Sequence, residues 1–163
     1  TSAKKPSAAW KSLKQKDHPM AAMKTRVKWI EDRTFLGQSG SGHSVIMGGA
    51  ATDAGPDAGV RPMEMLLLGL GGCTAYDVVD ILEKSRQPVT DVAIEIEGER
   101  AEDIPKVFTE INVRYIVTGT GLDPAKVERA VSLSADKYCS ATVMLGASAT
   151  ISHEIEIVDS RES

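Results

Sequence analysis

The residues best able to do chemistry in this sequence are its two cysteines, Cys73 and Cys139. A thiolate is both a nucleophile and a metal ligand, and two neighbouring thiols can close a disulfide. Two cysteines and three histidines are little material for a zinc site of the usual composition, so we expect neither a metal nor another cofactor. In a cytosolic protein, a bond between the two thiols would more often be redox-active than structural.

Cys73 follows three glycines that an ordinary helix would not contain. Gly69, Gly71 and Gly72 lie inside a helix that the apolar pattern predicts over residues 63–86, and each glycine in a helix interior costs about 1 kcal/mol relative to alanine. Either another helix approaches too closely for a Cβ, or the helix breaks at Gly71-Gly72 and starts again. A break would place Cys73 at a helix N-terminus, where unpaired N–H groups favour the thiolate. The alternative is a small buried core cysteine.

Cys139 lies at a predicted boundary between two helices. Asp123 is an N-cap before a helix over residues 124–137, and a short second helix is predicted over residues 140–149. Lys137 could supply positive charge to the Cys139 thiol. The alternative is again a packed thiol, because free cysteine is among the most buried residue types.

The long helix that carries Cys73 opens with Pro62, in the first-turn position where a missing N–H group is tolerated. Its first half is apolar on every side, which predicts burial all round, and its second half is amphipathic. The apolar stretch from Met63 to Ala75 is shorter than the roughly 20 residues that a membrane-spanning helix needs, so we expect no membrane partner.

Strand patterns complete the predicted fold. A small meander over residues 25–47 precedes the long helix, and two strands with a polar outer face, predicted to be antiparallel, follow it. A final strand carries His153 on the same face as its isoleucines, which predicts that this side chain points inward. The order βββ-α-ββ-α-α-β lacks the strict alternation of a doubly wound sheet, so the predicted fold class is α+β.

Charge divides the sequence unevenly. Of the net charge of -4, residues 1–24 contribute six lysines and one aspartate, or +5, so the remainder carries -9. We interpret residues 1–23 as a basic, flexible leader or added extension, and residues 24–163 as a single domain that we expect to be cytoplasmic. A pI near 5.4 argues against a nucleic-acid partner.

Two other kinds of site find little support. The glycine run before Cys73 lacks the third glycine of a dinucleotide fingerprint and lies inside a helix, where that motif would follow a strand. A Ser/His/Asp hydrolase could use His43, but no Gly-x-Ser-x-Gly elbow accompanies it.

The motifs around both cysteines resemble those of a known family. Pro62-Met63-Glu64-Met65-Leu66-Leu67 through Gly71-Gly72-Cys73, and Lys137-Tyr138-Cys139-Ser140, are similar to the OsmC/Ohr family of osmotically induced protein C and organic hydroperoxide resistance proteins. The resemblance covers about Thr25 to Val158 and is closest to an OsmC-like branch with this Pro-Met-Glu-Met motif. It implies a homodimer of two intertwined α+β subunits, with antiparallel sheets from both chains wrapped around central cysteine-bearing helices. Close packing of those helices would account for the glycines.

The resemblance also implies an activity. Peroxidatic members of the family reduce organic hydroperoxides and are reset by a dithiol reductant. By motif position, Cys73 corresponds to the peroxidatic cysteine and Cys139 to the resolving one. The alternative is a non-catalytic, OsmC-like binding or stress-associated dimer whose cysteines mainly pack.

One position departs from the peroxidatic pattern. Those members carry a glutamate directly after the motif proline, and it works with an arginine from the first β-turn. Here Met63 occupies the glutamate position, and Glu64 comes one residue later, turned by about 100° around the helix. Arg33 corresponds by position to the arginine. We therefore expect a slower peroxidase, one with different substrates, or a non-peroxidatic relative.

Overall fold

A computed structural model describes residues 22–50 and 57–161 of the chain. Apart from its last two residues, the predicted leader over residues 1–23 lies outside the described residues. The chain forms two compact units that meet, in sequence, between Glu64 and Met65. Each unit is described by itself.

The first unit is built on a three-stranded antiparallel meander, as the alternating pattern predicted. Its strands run in the order β1-β2-β3: β1 (Thr25–Glu31), β2 (Thr34–Ser39) and β3 (Ser44–Met47). Asp32 and Arg33 form the first hairpin turn, where Asp32 adopts a φ of 45°. The Trp29 indole N–H donates to the Asp32 carbonyl oxygen over 2.8 Å and holds this turn against β1.

The second unit contains a three-stranded mixed sheet and the helices that connect its strands. The sheet has the order β4-β5-β6, with β4 (Val89–Arg100), β5 (Phe108–Gly119) and β6 (Thr150–Asp159). Strands β4 and β5 are antiparallel as predicted, whereas β6 runs parallel to β5. The crossover from β5 to β6 comprises α2 (Pro124–Leu133), a π-helical turn (Ser134–Tyr138) and α3 (Ser140–Leu145). The α+β fold class and the element order are therefore confirmed.

The core of the second unit lies between one face of the sheet and the helices. The central strand β5 contributes most of it, because its inward-facing side chains are covered by both neighbouring strands and by the helices. The most fully buried apolar residues are Leu70, Val78, Leu82, Ile111, Val113, Tyr115, Val117, Val127 and Ala130. The opposite face is polar: the Arg114 guanidinium pairs with Glu95 on β4 and Glu156 on β6.

Helix α1 (Pro62–Lys84) is continuous, so a break at Gly71-Gly72, one of the two alternatives that the sequence left open, is wrong. An unbroken stripe of Leu70, Thr74, Val78 and Leu82 at four-residue spacing is buried along one face and holds the helix together across the glycines. A Cβ at Gly71 would lie 3.2 Å from Ile96 Cδ1 of the sheet. One of the three glycines is thus explained by close packing on β4.

The other face of α1 is apolar and is uncovered within the single chain, so the predicted burial all round stays a prediction that a second subunit would have to fulfil. Leu68 is 59% exposed and Tyr76 is 77% exposed. Among the described residues, no atom outside the immediate helix lies within 4 Å of a Cβ built on Gly69 or Gly72. The helix that approaches too closely for a Cβ, which the sequence offered as one explanation, is therefore absent from the described part of this chain.

By length and composition alone, α1 also meets the requirements of a membrane-spanning helix. The apolar stretch from Met63 to Ala75 is shorter than a membrane span, but the whole helix, predicted over residues 63–86 and observed to Lys84, is long enough. Its amphipathic half packs Val78 and Leu82 into the core of the second unit. We therefore interpret α1 as the core helix of this fold.

Candidate active site

Cys73 lies in the middle of α1, one residue before the buried Thr74. At this position the helix N–H groups are already bonded within the helix, so the predicted activation of the thiol by a helix N-terminus is absent. The Cys73 side chain is partly exposed and free. Its surroundings in the second unit therefore determine its chemistry.

Cys139 is positioned by the π-helical turn that precedes it. The Cys139 N–H donates to the Ser134 carbonyl oxygen over 2.8 Å and closes that wider turn. Cys139 itself has extended backbone angles and caps the N-terminus of α3, so the predicted helix boundary is confirmed. The side chain is fully buried. Lys137 turns its ammonium over the Tyr138 ring, 5.3 Å from its centroid.

The two sulfur atoms lie together. Cys73 Sγ, Cys139 Sγ and a carboxylate oxygen of Asp77 are all within 4.8 Å of one another. Cys73 and Asp77 share one face of α1 because they are four residues apart. The crossover that contains the π-helical turn delivers Cys139 to the same point.

A chain of hydrogen bonds fixes the groups around the sulfurs. The Thr74 hydroxyl shares one hydrogen bond with Tyr115 OH and one with Ser134 Oγ, each 2.8 Å long. Ser134 Oγ also donates to Asp77 Oδ2 over 3.2 Å. Thr74 and Ser134 are fully buried, so this network connects α1, the central strand and the π-helical turn within the core.

Burial governs the ionisation of Cys139 and Tyr115. Burial raises the pKa of the Cys139 thiol, an effect that Thr142 partly offsets and that the neighbouring Cys73 thiol reinforces. Burial also raises the pKa of the Tyr115 phenol, although its hydrogen bond with Thr74 opposes the rise. Both groups are therefore neutral in the folded protein near pH 7.

One polar atom beside Cys139 is unsatisfied. The Thr142 hydroxyl is buried and has no hydrogen-bond partner among the residues that the structure describes. It lies beside the Cys139 sulfur, where its influence favours the thiolate. A buried donor without an acceptor is costly, so a negatively charged sulfur or a bound group would satisfy it.

A cavity of about 260 Å³ opens beside the carboxylate of this site. Asp77, Asp80, Ile81, Lys84 and Tyr138 line it. Asp80 and Lys84 pair across its rim, with 2.6 Å between the Lys84 Nζ and Asp80 Oδ2 atoms. Asp77 belongs to both the cavity wall and the sulfur cluster, whereas neither cysteine is among the residues that line the cavity.

The two weaker candidate residues belong to the first unit. Glu64 accepts a hydrogen bond of 3.0 Å from the Arg61 N–H and lies 3.7 Å from the Arg61 guanidinium, so it caps the start of α1. On an unbroken helix, the nine residues from Glu64 to Cys73 rise about 13.5 Å along the axis. Arg33 is exposed in the β1–β2 turn. Their predicted roles in catalysis stay predictions.

His153 lies on the sheet face that carries Val113 and Tyr115, but its side chain is exposed in the single chain, so the predicted inward burial is not observed. It pairs in register with Val113, and its ring centroid is 5.9 Å from that of Tyr115. Partial burial lowers the pKa of His153. The side chain remains partly open to solvent because β6 is the outer strand of the sheet.

Sequence reasoning missed the polar half of the site. Asp77 carried a signal, because its four-residue spacing from Cys73 places both side chains on one face of the helix. Thr74 carried a weaker one, since it follows Cys73 directly. Ser134 and Tyr115 carried none, because they are 60 and 41 residues from Thr74 in sequence.

The family model described as OsmC-like protein matches residues 55–154 of the chain. The chain belongs to this OsmC-like family. Protein YhfA of Escherichia coli K12 is 50% identical over 136 residues, which are 83% of this chain and 98% of the relative. The nearer branch with the Pro-Met-Glu-Met motif stays a prediction.

Solved structures of other proteins have the same fold as this chain. The crystal structure of a hypothetical protein from Aquifex aeolicus is 31% identical, with a TM-score of 0.76 over 86% of this chain and 98% of that one. The organic hydroperoxide resistance protein OhrB of Bacillus subtilis is 16% identical, with a TM-score of 0.59 over 84% of this chain and 99% of that one. At that identity, the OhrB likeness shows the fold alone.

Proposed function

We propose that this OsmC-like protein is a thiol peroxidase that reduces organic hydroperoxides through Cys73 and Cys139. The observation that supports it best is the approach of the two sulfurs to within 4.8 Å of each other. A disulfide has an S–S distance of about 2.0 Å, so side-chain rotation and a small backbone adjustment would close the bond.

The proposed reaction takes place in three steps. The Cys73 thiolate attacks one peroxide oxygen of ROOH, the O–O bond breaks, and the alcohol ROH leaves after taking up a proton. Cys73 becomes a sulfenic acid, the Cys139 thiol condenses with it, and the products are a disulfide and water. A dithiol reductant then exchanges with this disulfide and restores both thiols.

Differences in exposure support these roles. Cys73 is partly exposed, so a peroxide can reach it, whereas Cys139 is fully buried and shielded from direct oxidation. Burial raises the pKa of the Cys139 thiol, which suits a resolving cysteine that acts after the first oxidation. The acidic Asp77 and the loss of the family glutamate at Met63 favour a slow enzyme.

The uncovered face of α1 supports a homodimer. Leu68, Gly69, Gly72 and Tyr76 form a stripe that is opposite the buried face and apolar apart from the Tyr76 hydroxyl. Two glycines without close neighbours would let a second copy of the helix approach closely. We propose that a second chain covers this stripe, and that the dimer acts in the cytoplasm.

The second candidate function is a non-catalytic, stress-associated binding dimer with packed thiols. The position of Cys73 in the middle of α1 favours it, because no helix N-terminus is present there to stabilise a thiolate. This alternative and the peroxidase differ in one observable, which is whether peroxide oxidises the thiols as a pair.

Thiol titration before and after one equivalent of cumene hydroperoxide tests the proposal. The peroxidase should change from two free thiols per chain to none, with one intramolecular disulfide seen by non-reducing mass spectrometry. The Cys139→Ser variant should stop at a Cys73 sulfenic acid that dimedone traps, and the Cys73→Ser variant should keep its single thiol. Two unchanged thiols in the native chain would exclude the peroxidase and favour the binding dimer.

A further inference from the structure

We propose that Cys73, Cys139 and Asp77 form a binding site for a thiophilic divalent cation, with Zn²⁺ as the ion that fits it. The site requires only reduced thiols, so it does not rest on the peroxidase activity. Counting cysteines and histidines left the carboxylate out of consideration. Two thiolates and one carboxylate are nevertheless a sufficient donor set for a zinc ion with one open coordination position.

The donor atoms are already close to zinc geometry. In a tetrahedral site with Zn–S distances of about 2.3 Å, two sulfurs lie about 3.8 Å apart. Here both sulfurs and the Asp77 oxygen lie within 4.8 Å of one another, so a shift of about 1 Å or less per atom would bring them into range. Cys73 and Asp77 also have the i, i+4 helical spacing by which two ligands on one helix face reach a common metal.

An outer shell of hydrogen bonds is present as well. Ligating carboxylates are usually held by a second group, and Ser134 Oγ donates to Asp77 over 3.2 Å while Thr74 holds Ser134 in place. The Thr142 hydroxyl, buried and unpartnered among the described residues, lies beside the Cys139 sulfur. A zinc-bound thiolate keeps its negative charge and would accept that hydrogen bond.

Access and charge also fit a cation. The cavity of about 260 Å³ reaches the site at Asp77; its other carboxylate, Asp80, pairs with Lys84, so the lining residues carry one net negative charge. On binding, each thiol releases its proton to solvent, and the ion takes two thiolates and the carboxylate. Bound zinc would hold the same two sulfurs that a disulfide would join, so metal occupancy and disulfide formation exclude each other.

Metal binding to the reduced full chain, without peroxide, tests the site. Each chain should bind one Co²⁺ ion. The thiolate-to-cobalt charge-transfer absorption should have the intensity expected for two Co–S bonds. Zn²⁺ should displace the cobalt, with the affinity measured against a chromophoric chelator. The Cys73→Ser and Cys139→Ser variants should each lose the two-thiolate spectrum. A native spectrum with one Co–S bond, or with none, would overturn the proposal.

Matched variants of Asp77 and Asp80, both on α1, distinguish a metal-ligating carboxylate from one that only adds negative charge to the cavity. Loss of an outer-shell partner typically lowers metal affinity by about 10- to 100-fold, so we expect Ser134→Ala to fall in that range and Asp77→Asn to fall further. Asp80→Asn removes a carboxylate from the same cavity wall without touching the donor set, and should keep the native affinity. Equal affinities of Asp77→Asn and native protein, or an equal loss in Asp80→Asn, would overturn the assignment.

Two controls keep the outcomes distinct. Circular dichroism and thermal unfolding without metal show whether each variant has folded, and Ser134→Ala tests the site even if Asp77→Asn is unstable. Failure of zinc binding leaves the peroxide-driven thiol loss of the metal-free chain unaffected. Conversely, two thiols inert to peroxide would leave the cobalt spectrum unchanged, so each proposal fails on its own measurement.

Discussion

At the scale of single residues, the arrangement of the two cysteines depends on a network of buried polar side chains around them. Thr74 joins Tyr115 of the central strand to Ser134 of the π-helical turn through two hydrogen bonds of 2.8 Å. Ser134 in turn orients Asp77 beside the sulfurs. This network links the stability of the core to the arrangement of the candidate active site.

Replacing Thr74 with valine should destabilise the protein. The isosteric side chain removes both hydrogen bonds and leaves the buried Tyr115 hydroxyl unsatisfied, which typically costs about 1–3 kcal/mol, whereas Ser134 keeps its hydrogen bond to Asp77. Urea unfolding measures the change in the free energy of unfolding. Thr74→Ser keeps the hydroxyl, so its free energy of unfolding should fall less than that of Thr74→Val. An equal fall in both variants would contradict a role for the hydroxyl.

The buried Cys139 thiol should make stability fall in mild alkali. Burial raises the pKa of the Cys139 thiol in the folded state. The contribution of the neutral thiol to the free energy of unfolding is therefore fully present below the pKa of the unfolded chain, about 8.5, and is lost as the pH rises through the pKa of the folded protein. Urea unfolding of the reduced protein from neutral pH upward should therefore show a steeper decline than the Cys139→Ala variant shows. Tyr115 is common to both proteins and cancels. Parallel pH profiles would contradict the prediction.

At the scale of elements, α1 has two apolar faces with different functions. The face that carries Leu70, Thr74 and Val78 packs inside the second unit, and Gly71 lets it approach Ile96 of β4. The opposite face carries Gly69 and Gly72, which have open space around them within the described chain. On this helix, glycine allows close packing on the sheet at Gly71 and leaves open space on the other face at Gly69 and Gly72.

Alanine at Gly71 and at Gly72 should act in different ways. At Gly71 the new Cβ would lie 3.2 Å from Ile96 Cδ1, so part of the roughly 1 kcal/mol gained in helix propensity is offset by strain within one chain. At Gly72 no such contact exists in the described chain, so Gly72→Ala should stabilise the monomer and weaken self-association. Sedimentation velocity and urea unfolding check both effects. Unchanged association of Gly72→Ala would contradict a helix contact at this glycine.

At the scale of the whole molecule, α1 exposes large apolar side chains, Leu68 and Tyr76, on the face that does not pack in the core of the second unit. Contiguous exposed apolar patches on proteins commonly mark interaction sites. Leu68 and Tyr76 lie about two turns apart on this exposed part of the helix. The proposed homodimer contact therefore lies on the same helix that carries Cys73 of the candidate active site.

A charge at Leu68 should prevent dimer formation. Leu68 is 59% exposed in the single chain, so Leu68→Glu should leave the monomer folded while it introduces an unpaired carboxylate into the proposed contact. Size-exclusion chromatography with light scattering should give a dimer mass for the native chain and a monomer mass for the variant. Ile104→Glu, at a residue that is 90% exposed in a loop, is the matched control. A native monomer, or a dimeric Leu68→Glu variant, would contradict the proposed interface.

The sequence by itself determined the α+β class, the element order and the two candidate cysteines. These follow from local signals: strand alternation, Pro62 and Pro124 at helix starts, and the motifs around Cys73 and Cys139. One local signal was misleading. The cost of glycine in a helix made a break in α1 one of the two alternatives, but the helix is continuous because burial of the stripe from Leu70 to Leu82 outweighs that cost.

Only the tertiary structure decided what surrounds the sulfurs. Cys73 and Cys139 are 66 residues apart in the sequence, and their approach depends on a parallel β6 and on the π-helical turn, neither of which has a signature in the local pattern. The hydrogen bonds from Thr74 to Tyr115 and Ser134 arise for the same reason, since packing against the sheet brings together side chains from three elements. Burial of Cys139, which raises the pKa of its thiol, is a property of that packing and not of its neighbours in sequence.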